Sequence, residues 1–219
     1  MQYRRTLSLF CKYATAVCAL GGVLLSLICA KRDGYSHWSR RLLYFTAQSN
    51  IWLGLTFIAV LRRKDDEKAA TRLYILKYIF TVSITVTGLV FCALLAPFSD
   101  KSYRPWTLCN ILTHIFSPVF AVLDLFLDQR REPKNKGLVF LSLVPPFVYC
   151  IFAGILGTLG VDFGRGTTYP YFFLYFRSPV GLFGFSNRPP FVIGSFYWIL
   201  IFLTLVLALA IGYMRRKRR

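Results

Sequence analysis

Six long apolar runs separated by basic connections leave this chain few ways to fold. They cover Leu7–Ala30, Leu42–Leu61, Leu73–Pro97, Thr107–Leu127, Gly137–Gly160 and Phe191–Tyr213. A helix needs about 20 mostly apolar residues to cross roughly 30 Å of hydrocarbon, and each run reaches that length. Of the 219 residues, 56% are hydrophobic and 16% charged, so a soluble domain of this size would leave large apolar surfaces wet. The sequence therefore predicts an all-α, polytopic membrane protein, one domain over residues 1–219 built as a bundle of six transmembrane helices. An ordinary soluble enzyme is excluded. The first run is longer than the apolar core of a typical signal peptide and lacks a small-x-small cleavage site, so it is expected to stay in the mature chain.

The formal charge of +18 would suggest a nucleic-acid partner if it lay on one soluble face. Here the basic residues fall almost wholly between the apolar runs, so no nucleic acid is expected. The N-terminus, the connections around Arg62–Arg72 and Arg130–Lys136, and the closing Arg215–Arg219 carry 16 Lys and Arg, against nine in the alternate connections. Basic residues are retained in the cytoplasm, so both termini are expected there. The six cysteines read as small apolar packing residues, since five lie within or at the ends of apolar runs and only Cys109 is near a loop. Neither they nor the two histidines make a metal constellation, and no phosphate loop, dinucleotide fingerprint or nucleophile elbow occurs. No cofactor is expected.

Polar side chains are expensive in hydrocarbon and usually face the bundle interior, so they carry the chemical information. In the second run Thr46, Ser49 and Asn50 share one helical face near the outer end. In the fourth, Asn110, His114, Ser117, Ala121, Asp124 and Asp128 form a single stripe. A rise of 1.5 Å per residue places Thr46 about 6 Å and His114 about 10 Å below the outer boundary, which permits them to meet. Asp124 lies about 15 Å further along, too far to orient the imidazole, and reads as an interfacial or helix-paired carboxylate. Asn110, one turn from His114, is the better candidate to hold the ring. Lys77, Thr81, Thr85, Gly88 and Cys92 share a face of the third run that reads as close packing. His37, beside Trp38 in the first outer loop, reads as solvated. The connection from Val161 to Pro190 is crowded with aromatic residues and is expected at the headgroup level, as a simple anchor or as a lid over the bundle mouth.

The segments Tyr44-Phe45-Thr46-Ala47-Gln48-Ser49-Asn50, His114-Ile115-Phe116-Ser117-Pro118 with Leu123-Asp124, and Tyr169-Pro170-Tyr171-Phe172 give the chain a family likeness. It resembles a bacterial six-span membrane family similar to the eukaryotic androgen-induced proteins, intramembrane threonine hydrolases of fatty-acid esters of hydroxy fatty acids. The resemblance implies a place in a bacterial plasma membrane, Thr46 as nucleophile, His114 as the catalytic histidine and a lipid ester as substrate. Asn50 and Pro118 each follow their partner by four residues, an offset from the eukaryotic spacing. Beside Thr46 and His114, the residues Ser49, Asn50 and Asn110 are candidate supporting or oxyanion-donating groups. Two other readings stay open: a non-enzymatic binding or transport protein with a polar intramembrane cavity, and a structural subunit whose polar stripes only join helices. Membrane lipids are the expected partners in each.

Overall fold

The computed structural model describes residues 2–63, 66–98, 104–128 and 136–217. The described residues are helical apart from the connections. They contain α1 (Gln2–Ile28), α2 (Phe45–Arg62), α3 (Glu67–Leu95), α4 (Leu108–Leu127), α5 (Gly137–Thr158) and α6 (Ser195–Lys217). Five of these, all but α2, are long and apolar enough to cross a membrane, which makes the chain a multi-pass membrane protein by length and composition. In α2, Thr46, Gln48, Ser49 and Asn50 dilute the apolar character of the first two turns. Of the basic residues used to orient the chain, Lys64, Lys101, Arg130, Arg131, Lys134, Arg218 and Arg219 lie outside the described residues.

The helix ends depart from the apolar runs for local reasons. A 3-10 turn over Trp38–Leu43 occupies the expected start of the second run, and an extended Tyr44 starts α2 at Phe45. The third helix begins earlier than Leu73, because Asp66 accepts the Lys68 N–H and caps it. In α5 the regular helix lapses at Ser142 and Leu143. Pro145 and Pro146 lack N–H groups and their rings crowd the carbonyls four residues back. The sixth helix starts at Ser195 instead of Phe191, after the Pro189-Pro190 pair, and continues through the basic tail to Lys217.

α3 is the most enclosed helix and joins two apolar cores. One holds Ala16 and Ala19 of α1, Leu53 and Phe57 of α2, Ile84 of α3 and Ala121 of α4. The other packs Tyr78 and Val82 of α3 against Leu125, Leu138 and Val206 of the next three helices. Small residues bring backbones close, as membrane helices require. At Gly22 of α1, a Cβ would stand 2.6 Å from Thr113 Cγ2 of α4. Outward-facing Phe10, Val17 and Leu24 on α1, and Phe147, Ile151 and Ile155 on α5, present apolar side chains where lipid would contact them. All six cysteines are unpaired, including Cys109, which is buried in the first turn of α4 next to the preceding connection.

Four ionised side chains meet near the end of the bundle that holds the termini. Lys77 Nζ lies 2.9 Å from Asp124 Oδ2 and 2.5 Å from Asp128 Oδ2, while Lys12 Nζ lies 2.6 Å from Asp124 Oδ1. Ser8 Oγ donates to the same Asp124 oxygen at 2.7 Å. Asp124 is thus a helix-paired carboxylate, and Lys77 departs from the close-packing reading of its face because it supplies a buried counter-charge. Lys12, unremarked in the sequence pattern, is the second. The four charges cancel, and they tie α1, α3 and α4 together where water cannot compensate an unpaired ion.

Removing one member leaves an uncompensated buried charge, which costs about 3–5 kcal/mol. Thermal unfolding in detergent is therefore expected to show a large loss for Asp124→Asn. Lys77→Met combined with Asp124→Leu removes one charge of each sign and should recover much of that loss. A double variant no more stable than Asp124→Asn would assign the stabilisation to some other contact.

Candidate functional site

The opposite end of the bundle contains a cavity of about 350 Å³ lined by residues of α1 to α4 and by the connection after α5. Thr46 reaches it from the first turn of α2, where N–H groups without partners inside the helix give the terminus a partial positive charge. His114 reaches it from a π-helical turn over Leu112–Phe116 within α4, in which the Ser117 N–H reaches back five residues to Leu112. Such single π turns widen a helix by one residue and often sit at functional sites. A second π turn, Phe91–Leu95, closes α3 alongside, and the Phe91 ring stacks on the His114 imidazole at 4.0 Å between centroids.

Thr46 Oγ1 and His114 Nε2 are 3.2 Å apart. The other ring nitrogen, Nδ1, is 3.0 Å from the Asn110 carbonyl, which only accepts. It is also 3.0 Å from Thr113 Oγ1, whose hydrogen goes to the Cys109 carbonyl. These partners assign the hydrogen of the neutral ring to Nδ1 and leave the Nε2 lone pair facing the Thr46 hydroxyl. With its hydrogen directed at the ring, Thr46 Oγ1 accepts from the Tyr171 hydroxyl at 3.3 Å. The Thr46 N–H lies 3.4 Å from the same Tyr171 oxygen. A base, an oriented hydroxyl and a second hydroxyl donor therefore share one pocket.

The remaining sequence candidates support this pair through contacts with neighbouring helices and main chain. Asn50 donates to the Thr46 carbonyl at 2.8 Å and to the Thr113 carbonyl at 3.2 Å, bridging α2 to α4 one residue before His114. Ser49 lies 3.3 Å from the Thr46 carbonyl and 3.4 Å from Thr87 Oγ1 of α3. Asn110 holds the ring through its main-chain carbonyl, and its side-chain amide donates to the Pro105 carbonyl at 2.9 Å. His37 stays exposed, with Nδ1 2.8 Å from Ser39 Oγ. Among the described residues no cluster of His, Cys, Asp and Glu could hold a metal.

Tyr171 is the residue that helical periodicity could not find, since it lies in the aromatic connection 125 positions from Thr46. The signals for it were the aromatic crowding and the Tyr169–Phe172 motif. Its ring packs edge-on to Tyr44 and stacks on Phe173 at 5.0 Å, and Phe173 in turn packs on Phe202 of α6. The connection thus folds over the bundle mouth and lowers a hydroxyl into it. Earlier in the same connection Asp162 accepts the N–H groups of Gly164 and Gly166 at 2.8 and 3.0 Å and faces the Ser36 hydroxyl. Its partial burial alone would raise its pKa, but these donors hold it below the ordinary value.

Gly88 fits α3 against α4 at the level of the histidine, because a Cβ there would stand 2.6 Å from the His114 carbonyl oxygen. Main chain cannot swing aside as a side chain can. Gly88→Ala is expected to cost about 1–3 kcal/mol in thermal stability and to weaken any chemistry that depends on His114. An alanine variant with unchanged melting temperature would show that the two helices separate freely there.

The chain matches no family model, no curated protein and no solved structure in comparisons with known proteins, so the reading of this pocket rests on its own geometry.

Proposed function

We propose that the chain is a six-span integral protein of a bacterial plasma membrane, both termini cytoplasmic, that hydrolyses lipid esters with a threonine nucleophile. In this reading α2 is the sixth span, its polar first turns shielded by the other helices, and the pocket opens in the outer leaflet. The observation that carries the proposal is the 3.2 Å contact between Thr46 Oγ1 and His114 Nε2, with Nδ1 anchored on a carbonyl. Simple helix joining does not require an imidazole whose free lone pair faces a hydroxyl at the wall of a cavity.

His114 Nε2 takes the Thr46 proton as Oγ1 attacks the ester carbonyl carbon. The Tyr171 hydroxyl and the N-terminal turn of α2 stabilise the oxyanion that forms. Collapse breaks the bond to the alcohol oxygen, which leaves with the proton held by His114. Water, deprotonated by the same nitrogen, then releases the acid and restores the threonine. Phe91 and the aromatic connection exclude bulk water from the pair, and Ser49, Asn50 and Asn110 position it.

The test is purified protein in detergent against a panel of lipid esters, with the fold of each variant checked in parallel. Thr46→Ala and His114→Ala should each nearly abolish turnover, and their combination should add little, because either change already disables nucleophile activation. Tyr171→Phe should lower kcat by about 100–1000-fold with little change in KM, the effect of deleting one oxyanion donor. Activity that survives in both single alanine variants overturns the mechanism. A whole panel left untouched by the wild-type protein favours the binding or transport reading instead.

A further inference from the structure

A second and larger cavity, about 1150 Å³, adjoins the Thr46 pocket and shares Tyr35, Arg41, Asn110 and Arg165 with it. Its wall carries five cations, Lys31, Arg32, Arg41, Arg104 and Arg165, and one carboxylate, Asp33. Of the nine basic residues in the connections on this face, five line this one cavity. Arg41 is its mostly buried member, while Lys31, Arg32, Arg104 and Arg165 are exposed. Arg41 pairs with Asp33 and lies 4.2 Å from the centre of the Tyr35 ring, and Arg165 lies 5.0 Å from the same ring while donating to the Asp33 carbonyl at 2.7 Å. Asp33 also faces Arg32 at 3.4 Å, so one carboxylate is shared between two guanidinium groups. Arg41 Nε is buried without a hydrogen-bond partner. The neighbouring Asp162 is engaged by main-chain N–H groups, as described above, and is not among the residues lining the cavity.

We propose that this vestibule binds the phosphate of an anionic phospholipid whose acyl ester enters the adjoining pocket. The surplus of four positive charges matches a phosphate, and planar guanidinium groups donate to its oxygens in pairs. The cavity is larger than a bare carboxylate requires and accommodates a polar headgroup. Beyond the shared wall the lining turns apolar at Val23, Leu94, Leu95 and Phe98, the surface an acyl chain needs. An ester group lies between head and chain in such a lipid, and Thr46 lines the pocket whose wall holds both Arg41 and Arg165 and these apolar residues. The fate assigned to the lipid rests on the hydrolase reading, whereas its binding does not.

Binding is measured on delipidated full-length Thr46→Ala protein in detergent, by native mass spectrometry with phosphatidylglycerol or phosphatidylcholine. Phosphatidylglycerol should be retained about tenfold more strongly. Replacing Lys31, Arg104 and Arg165 together by Gln should reduce that retention to the phosphatidylcholine level, while Arg165→Lys alone keeps most of it. Melting curves accompany each variant, and only variants that unfold like the parent are compared. Equal retention of the two lipids, or a folded triple variant that still prefers phosphatidylglycerol, overturns the proposal. Saturable binding of inorganic phosphate without any lipid preference also overturns it, making the vestibule a site for the free anion. Retention of phosphatidylglycerol with no ester cleaved by the wild-type protein sinks the hydrolase reading and leaves the headgroup site standing. Cleavage of phosphatidylglycerol with a KM that the triple variant does not change sinks the headgroup site and leaves the hydrolase.

Discussion

Inside a bilayer a polar group cannot fall back on water, and this constraint organises the whole bundle around α4. At one end its Asp124 must be neutralised, and Lys12 and Lys77 do so from α1 and α3. At the other end its His114 must satisfy two ring nitrogens, and the Asn110 carbonyl and the Thr46 hydroxyl do so. Three neighbouring helices are thereby fixed in rotation and height by the polar stripe of a fourth. Apolar packing fills the space between these points, but in lipid it has little power to choose among rotations, since tails and side chains are equally apolar.

The two ends have opposite relations to their charge. The Lys12, Lys77, Asp124 and Asp128 cluster is closed, balanced and almost without exposure, with Asp124 at 0% and Lys77 at 1%. The vestibule at the far end is open and carries a cationic surplus. A closed network stiffens the helices it joins, while an open one still has attraction to give to a ligand.

Most helices and both polar stripes were legible in the sequence, because a run of about twenty apolar residues and a 3.6-residue period are properties of one segment. Counting residues also permitted Thr46 and His114 to meet, and they lie 3.2 Å apart. Facing was not legible. That α2 turns Thr46 towards α4, and that Lys77 turns towards Asp124, depends on neighbours far away in sequence. Lys12 was hidden for a related reason: one cation in an apolar run looks like a snorkelling side chain until its partner is known. The functions of Ser49, Asn50 and Asn110 were legible only as polar groups near the pair, since a sequence does not distinguish an amide that faces a cavity from one that grips a carbonyl. Tyr171 comes from a connection with no period to read.

The π turn at Leu112–Phe116 makes α4 a helix with one residue too many for regular winding. The turn takes up that residue as a local bulge, because its slower winding offsets the extra step, and the helix on either side keeps the phase of regular winding. Removing one residue would let the turn relax to ordinary α geometry while Asp124 keeps its bearing on Lys12 and Lys77. What would go is the local widening from which His114 meets Thr46. The two polar ends of α4 are therefore separable: the bulge can be altered without disturbing the register of the carboxylate end.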